Sequence, residues 1–194
     1  YEISECLVGS EMCIRDSKLE DAVWEGDELA MEFIPRVCGS APDASDSIPM
    51  SACSSMFAKT NIDEYDLRFP SEREVISEDF VFKFMFLRTC SKVATTSCVG
   101  YSYRTNLSSL STSYRPDRFE ACLYFYDYAL QLVANSPAEA DCILRLTKTL
   151  LIYMKMCISQ EVSRVSGKSR HDACDSIRKM AGDQRLLRVI DKYP

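Results

Sequence analysis

Apolar residues recur at helical spacing through residues 115–194. Pro116 suits the first turn of a helix, and the Ser136-Pro137 pair suits the start of a second one. Positions three and four residues apart give each helix one apolar face. The apolar positions are Phe119, Cys122, Leu123, Tyr126, Leu130 and Val133 in the first helix, Ile143, Thr147, Leu150, Leu151, Met154, Ile158, Val162 and Val165 in the second, and Leu186, Leu187 and Ile190 in a short third one. The pattern predicts an α-helical C-terminal extension over 115–194.

Residues 18–114 mix helical and extended patterns. Ser77 to Leu87 has an N-cap residue, two acids and an apolar run, which predicts a helix. Two segments rich in Val, Thr and Tyr, Lys92–Ser97 and Cys98–Arg104, are predicted as strands. The other predicted segments are a helix over Lys18–Phe33 that breaks near Gly26 and stops at Pro35, a loop over 39–49, a short buried element over Met50–Lys59 and a Ser-rich loop over Asn106–Ser113. The fold class predicted for the chain is α/β, followed by the all-α extension.

Composition and charge narrow the possible partners. Apolar residues make up 46% of the chain and charged residues 27%, as in ordinary globular proteins. The net charge of −6 leaves no basic excess to neutralise phosphates, so we expect no nucleic-acid partner. No apolar run reaches the roughly 18–20 residues of a membrane span. The predicted extension also has a basic side, which forms either a solvated face or a face for peripheral association with an anionic membrane. Its residues are Arg145, Lys148, Lys155, Arg164, Lys168 and Arg170.

Ten cysteines are spread along the chain without a C-x-x-C pair, and His171 is the single histidine. A structural zinc site needs clustered ligands, which this spacing does not offer. A disulfide framework is typical of small secreted domains, and the sequence shows no secretory signal. The cysteines are therefore interpreted as reduced thiols that act as small apolar core residues of a cytoplasmic protein.

The first seventeen residues, 1–17, differ in character from the rest. They resemble a translated sequencing-adapter artefact that recurs at the ends of assembled gene fragments. This interpretation makes 1–17 a non-native segment, to be excluded from fold reasoning like any added tag. It predicts that these residues make few specific contacts. The alternative is a genuine N-terminal segment.

Glu78 and Asp79 are two adjacent acids at the predicted start of a helix. The unpaired N–H groups of a first helical turn favour negative charge, so the pair has a purely structural explanation. A carboxylate held there can also face a cleft and accept a proton from a substrate hydroxyl. The residues around the pair decide between the two interpretations.

Four ordered segments carry a resemblance to a known family. They are Leu67-Arg68-Phe69-Pro70, Ile76-Ser77-Glu78-Asp79-Phe80-Val81-Phe82, Val99-Gly100-Tyr101-Ser102-Tyr103-Arg104 and Ser108-Ser109-Leu110-Ser111-Thr112-Ser113. The order resembles the C-terminal half of family 2 glycosyltransferases, over residues 48 to about 120. It implies that residues 18–114 are the acceptor-side part of a Rossmann-like GT-A domain. It also implies a nucleotide-sugar-dependent transferase of cell-surface polysaccharide synthesis, acting on the cytoplasmic side of a membrane.

The resemblance also implies roles for individual residues. Asp79 would be the general base that takes the proton of an acceptor sugar hydroxyl, with inversion at the donor carbon. Glu78 would orient the acceptor or Asp79. Tyr103, Arg104 and Ser109 would contact the acceptor or the nucleotide diphosphate. The family further uses a divalent cation, Mg²⁺ or Mn²⁺, which an Asp-x-Asp motif holds on the diphosphate.

This chain departs from the family in two ways. It has no Asp-x-Asp motif and no glycine-rich phosphate loop, so we expect no bound cation in these 194 residues. The segment Ser51–Phe57 lacks the Trp or Asn and the Lys that many relatives carry there. We therefore expect a fragment, extension included, of an inverting glycosyltransferase, inactive by itself. The alternative is a non-enzymatic α-helical interaction module, in which Glu78-Asp79 is only a helix start.

Overall fold

The computed structural model describes residues 13–15, 19–71, 73–98, 102–104, 113–163 and 166–193, with 13–15 and 102–104 described by their backbone alone. This part of the chain is mostly helical. Its strands are β1 (Cys13–Arg15), β2 (Ala22–Glu25), β3 (Lys92–Thr95) and β4 (Ser102–Arg104). Its α-helices are α1 (Gly26–Glu28), α2 (Ile34–Val37), α3 (Lys59–Glu64), α4 (Glu78–Leu87), α5 (Arg118–Val133), α6 (Glu139–Val162), α7 (Arg170–Ala181) and α8 (Gln184–Ile190). A π-helical turn, Leu29–Phe33, joins α1 to α2, and a 3₁₀ turn covers Ala52–Ser54.

The prediction of an α/β, Rossmann-like GT-A domain is wrong. In the described residues the strands form two separate antiparallel pairs, β1 with β4 and β2 with β3. A Rossmann-like sheet instead needs parallel strands joined by crossover helices. Each observed strand spans only three or four residues. Such short strands bury few side chains, so helices supply nearly all of the core.

The core is built around the α5–α6 hairpin. The two helices are antiparallel, because residues earlier in the chain on the α5 side meet residues later in α6. The Tyr126 hydroxyl lies 2.9 Å from Thr147 Oγ1, and Tyr114, before the start of α5, donates to Glu161 near the end of α6. Phe80 of α4 and Phe125 of α5 are fully buried and meet edge to face, with ring centroids 5.6 Å apart. The predicted apolar face of α5 is therefore confirmed, and that of α6 is confirmed as far as Met154, because burying these faces against each other and against α4 removes them from water. Ile158 and Val162, predicted on the same face of α6, are exposed instead, and Val165 lies outside the described residues.

The N-terminal helix prediction fails at both ends. Residues 22–25, predicted as helix, form strand β2, and β2 pairs with β3. Pro35, predicted to stop the helix, lies inside α2 and is fully buried. The π-helical turn explains this: Ile34 N donates to Leu29 O, five residues earlier, so the hydrogen-bond register has already shifted before the residue that lacks an N–H.

The loop over 39–49 is confirmed, and α6 holds it in place. The guanidinium of Arg145, with 8% of its side chain exposed, donates to Gly39 O at 3.0 Å and to both Asp46 oxygens at 3.0 Å each. Its Nε donates to Asp141 at 2.9 Å. Lys148 donates to three further loop carbonyls, those of Ala41, Pro42 and Ala44. Arg145 was expected on a basic outer face, and instead it is a buried clamp.

Gly39 marks the point where the loop passes closest to α6. Its φ is +135°, a backbone conformation that favours glycine, and a Cβ there would come within 2.4 Å of Thr149 Oγ1. Thr149 in turn donates to Cys38 O at 2.9 Å. The close approach of loop and helix therefore depends on the missing side chain.

Other segments differ from the sequence-based expectations in smaller ways. Met50–Lys59 contains no buried helix or strand, since its 3₁₀ turn buries no residue and Met56 is fully exposed. Helix α7 was not predicted, because its sequence is polar and Ala173 is the single residue it buries. Residues 13–15 of the segment 1–17 form β1, and the backbone of β1 pairs with β4. We did not expect such a specific contact from a non-native segment. Residues 1–12, 16 and 17 lie outside the described part.

Replacing Arg145 tests the clamp. We expect Arg145→Met to lower the free energy of unfolding by about 3–5 kcal/mol, because it removes the guanidinium that pairs with the Asp46 and Asp141 carboxylates and donates to the Gly39 carbonyl. Urea unfolding at pH 7 measures the change. The matched control is Arg178→Met, since Arg178 is 74% exposed and its pair with Asp175 is solvated; that change should cost less than about 1 kcal/mol. An equally small decrease in the free energy of unfolding in both variants would contradict the role of Arg145 as a clamp.

Asp183 provides a pH-dependent test at the start of α8. It accepts the N–H of Arg185 at 2.8 Å, and the hydrogen bond from the Arg185 side chain lowers the pKa of Asp183 to about 2. The stabilisation is present above the ordinary value of 3.8 and is lost as the pH falls towards 2. Asp183→Ala should therefore cost about 0.5–2 kcal/mol at pH 7 and progressively less below pH 4.

Chemical denaturation of both proteins from pH 7 to pH 2 measures this difference. Asp191→Ala is the control, because Asp191 is an exposed acid at the other end of the same helix. Its effect on unfolding should stay small across the range. A cost for Asp183→Ala that persists undiminished at pH 2 would show that the charge of Asp183 is not responsible.

Candidate functional site

The start of α4 is fixed by a contact with α6. Ser77 occupies the predicted N-cap position, but its backbone is left-handed, with φ of 61°, and its side chain does not cap the helix. Instead the Ser77 hydroxyl lies 2.7 Å from the hydroxyl of Tyr153 on α6. Burial raises the pKa of Tyr153. A non-glycine residue in this conformation is strained, and the hydrogen bond to Tyr153 helps to hold it.

The two acids follow at the first turn of α4, and both are half-buried. Asp79 Oδ2 accepts a hydrogen bond from the hydroxyl of Ser51, with an oxygen–oxygen distance of 3.2 Å. Ser51 also accepts the N–H of Cys53 and so starts the 3₁₀ turn. The carboxylate of Asp79 is therefore held against the 51–54 turn, with part of its surface open to solvent.

An aromatic stack lies beside Asp79 on the same face of α4. Phe82 is three residues after Asp79, a spacing that places both side chains on one face. The Phe69 ring stacks on Phe82, with centroids 3.9 Å apart and an interplanar angle of 11°. Phe57 packs edge-on against Phe82 at 5.1 Å. Phe82 is buried while Phe69 is 49% exposed, so the stack presents one aromatic ring to solvent.

A groove of about 560 Å³ runs along the other side of the 51–54 turn. The 3₁₀ turn, α4 and β3 form its walls, with Cys53, Phe57, Lys83 and Phe86 among the lining residues. Lys83 is 4% exposed and donates to Pro49 O at 2.7 Å. Sequence reasoning missed Lys83, although a lysine inside the apolar run Phe80–Leu87 and four residues after Asp79 was a usable signal.

The structure describes the side chains of only two of the five predicted site residues, Glu78 and Asp79. Glu78 and Asp79 are adjacent on α4, as predicted. Tyr103 and Arg104 belong to β4, whose side chains lie outside the described residues, and Ser109 lies outside them altogether. The contact of Tyr103, Arg104 and Ser109 with the acceptor or the nucleotide diphosphate therefore stays a prediction. Within the described ranges no three His, Cys, Asp or Glu side chains group in a way that suits a metal ion.

Comparisons with family models, with curated proteins and with solved structures found no match for this chain. Across the part of the chain that the structure describes, none of the helices has both the length and the hydropathy of a membrane span.

Proposed function

We propose that this chain supplies the acceptor-activating part of an inverting glycosyltransferase, with Asp79 as the general base. The observation that carries the proposal is the hydrogen bond from the Ser51 hydroxyl to Asp79 Oδ2, at 3.2 Å. The contact supports the proposal because it brings a hydroxyl group within hydrogen-bond distance of this partly exposed carboxylate. An acceptor sugar hydroxyl would use the same approach, in place of Ser51 or beside it.

In the proposed reaction Asp79 takes the proton of the acceptor hydroxyl. The acceptor oxygen forms a bond to the anomeric carbon of a nucleotide sugar, and the bond from that carbon to the diphosphate oxygen breaks. The configuration of the carbon inverts because attack and departure occur on opposite faces. Glu78, next to Asp79, would orient the acceptor.

Neither donor binding nor the divalent cation is assigned to the residues described here. Mg²⁺ and Mn²⁺ prefer several carboxylate and other oxygen ligands, and the described residues do not provide such a group. The chain also lacks the Asp-x-Asp motif. In the proposal the nucleotide sugar and the cation bind to another segment of a longer protein, at the cytoplasmic side of a membrane.

The aromatic stack supports a sugar as the acceptor. The C–H groups of a sugar ring pack favourably on an aromatic face, and ligand sites commonly combine such faces with a few polar groups. Phe69 is held by Phe82 and has its remaining surface open. A sugar ring resting on Phe69 would lie on the side of α4 that carries Asp79, and in the proposal one of its hydroxyl groups donates to the Asp79 carboxylate.

Replacing Asp79 tests the proposal in the full-length protein. We expect Asp79→Asn to lower the rate of transfer from UDP-sugars or GDP-sugars by about 10²–10⁴-fold, because an amide cannot accept the proton. Nucleotide binding should be nearly unchanged. The asparagine oxygen can still accept from Ser51, so folding should survive, which a thermal melt checks.

The matched control is Asp63→Asn, since Asp63 is an exposed acid paired with Lys59 on α3. Its turnover should equal that of the unchanged protein. Unchanged turnover in Asp79→Asn would remove Asp79 as the base. Separately, tight UDP-sugar binding to these 194 residues in calorimetry would contradict the placement of the donor site elsewhere.

A second candidate function is a non-enzymatic helical interaction module. It is favoured by large apolar side chains that remain exposed on α6 and α8: Ile152, Met156, Ile158, Val162, Leu187 and Ile190. Beside them lies an apolar cleft of about 210 Å³ between α6, α7 and α8. Exposed apolar surface of this kind is typical of protein contacts. For this candidate Glu78-Asp79 would be only a helix start.

Self-association is the measurement that tests the second candidate. Sedimentation analysis over a range of protein concentrations should show dimers of the unchanged chain, and Ile158→Glu should abolish them, because it buries a charge in the contact. Met56→Glu is the control, since Met56 is fully exposed and lies on the 50–59 segment. A monomer at every concentration, or dimers that survive Ile158→Glu, would contradict this candidate.

A further inference from the structure

Four of the described cysteines are buried in two pairs that link different helices. Cys122 of α5 and Cys157 of α6 have their sulfur atoms 3.8 Å apart, within the range of a thiol hydrogen bond. Their exposed fractions are 2% and 0%. At the other end of α6, burial and the neighbouring Cys142 thiol raise the pKa of Cys38. The interpretation of the cysteines as small apolar core residues holds for these four, but it does not predict which of them lie together, and Cys53, Cys98 and Cys174 are exposed instead.

Cys122 and Cys157 lie at the open end of the α5–α6 hairpin, so a bond between them would join the two helices there. Cys122 lies near the start of α5 and Cys157 near the end of α6, 35 residues apart in sequence. The two helices are already joined at their opposite ends through residues 134–138. A covalent bond between Cys122 and Cys157 would close the open end of the hairpin and turn it into a ring.

The two thiols are also chemically unequal. Either sulfur can donate the hydrogen bond between them. When Cys122 donates, the bond lowers the pKa of Cys157, while the same interaction and burial raise the pKa of Cys122. Since the thiolate is the nucleophile, this arrangement makes Cys157 the first sulfur to react and Cys122 the resolving one. Ile158, the residue after Cys157, and Val162, at the end of α6, are both exposed, so local opening of this helix end would give a small oxidant a path to the thiols.

The geometry points to Cys122 and Cys157 as a peroxide-oxidised disulfide site that locks the α5–α6 hairpin. Sulfur atoms in a disulfide are about 2.05 Å apart, so forming the bond closes the present gap by under about 2 Å. Rotation of the two side chains and a small approach of the helix ends supply this movement. The inference does not depend on the proposed glycosyl transfer.

The chemistry balances with one hydrogen peroxide molecule as the oxidant. The Cys157 thiolate attacks a peroxide oxygen, the O–O bond breaks, and the departing hydroxide takes up the thiol proton to give water. Cys157 is then a sulfenic acid. The sulfur of Cys122 attacks it, the S–S bond forms, and the hydroxyl group leaves with the Cys122 proton as a second water. Two thiols and one peroxide give one disulfide and two waters.

Peroxide treatment of the intact chain tests the site. After alkylation of free thiols in denaturant and digestion with trypsin and a Glu-specific protease, mass spectrometry should find a peptide joining Cys122 to Cys157. The second protease is needed because Cys122 and Cys142 share one tryptic peptide, and cleavage after Glu139 separates them. A thiol reductant should remove the link.

The link should also raise the melting temperature by roughly 5–10 °C, because a ring of this size restricts the unfolded chain. Cys122→Ala should abolish both the link and the peroxide-dependent shift, while Cys174→Ala, at an exposed cysteine, should change neither. The peptide map of the unchanged chain shows whether the Cys122–Cys157 link forms, even where Cys122→Ala folds poorly. The inference is overturned if peroxide gives no Cys122–Cys157 link, or if it oxidises Cys157 to a sulfinic acid with a lower melting temperature.

Discussion

The packing of α6 against its neighbours is the constraint on which the rest of the structure depends. One side of the helix buries Leu146 and Leu150 in the core with α5. Its first half clamps the 39–46 loop through Arg145 and Lys148. Tyr153, midway along, fixes the start of α4. Removing α6 would therefore take away the loop anchor, the core and the support of the candidate site together.

The candidate site shows how a short polar contact orders a larger surface. Tyr153 holds Ser77 in a left-handed conformation, and this turn sets the direction in which α4 begins. Asp79 and Phe82 are three residues apart and therefore lie on one face of α4. On that face Asp79 accepts the hydrogen bond from Ser51, and Phe82 stacks against Phe69. A carboxylate, a hydroxyl and an exposed aromatic ring are thereby brought to one side of a rigid helix.

The buried polar and thiol groups are concentrated on α6 for a physical reason. A long helix between two layers has faces that cannot reach solvent, so any polar group there needs a partner inside the protein. Arg145 finds carboxylates and carbonyls, Glu161 finds Lys168 and the Tyr114 hydroxyl, and Cys157 finds Cys122. The same partners that satisfy these groups also tie distant parts of the chain to one helix.

Sequence alone determined the local features whose causes are local. The long apolar faces of α5 and α6 repeat every three to four residues, and the Ser77-Glu78-Asp79 start and the β3 strand follow from residue preferences over a few positions, so each was predicted with nearly correct limits. Pairs distant in the chain were decided only by the tertiary structure. The partnership of β2 with β3, the burial of Pro35, the Arg145 clamp and the Ser51–Asp79 contact each join segments whose approach no local pattern encodes. The α/β prediction failed for the same reason, because short strand-like segments do not specify whether they will join one parallel sheet or separate antiparallel pairs.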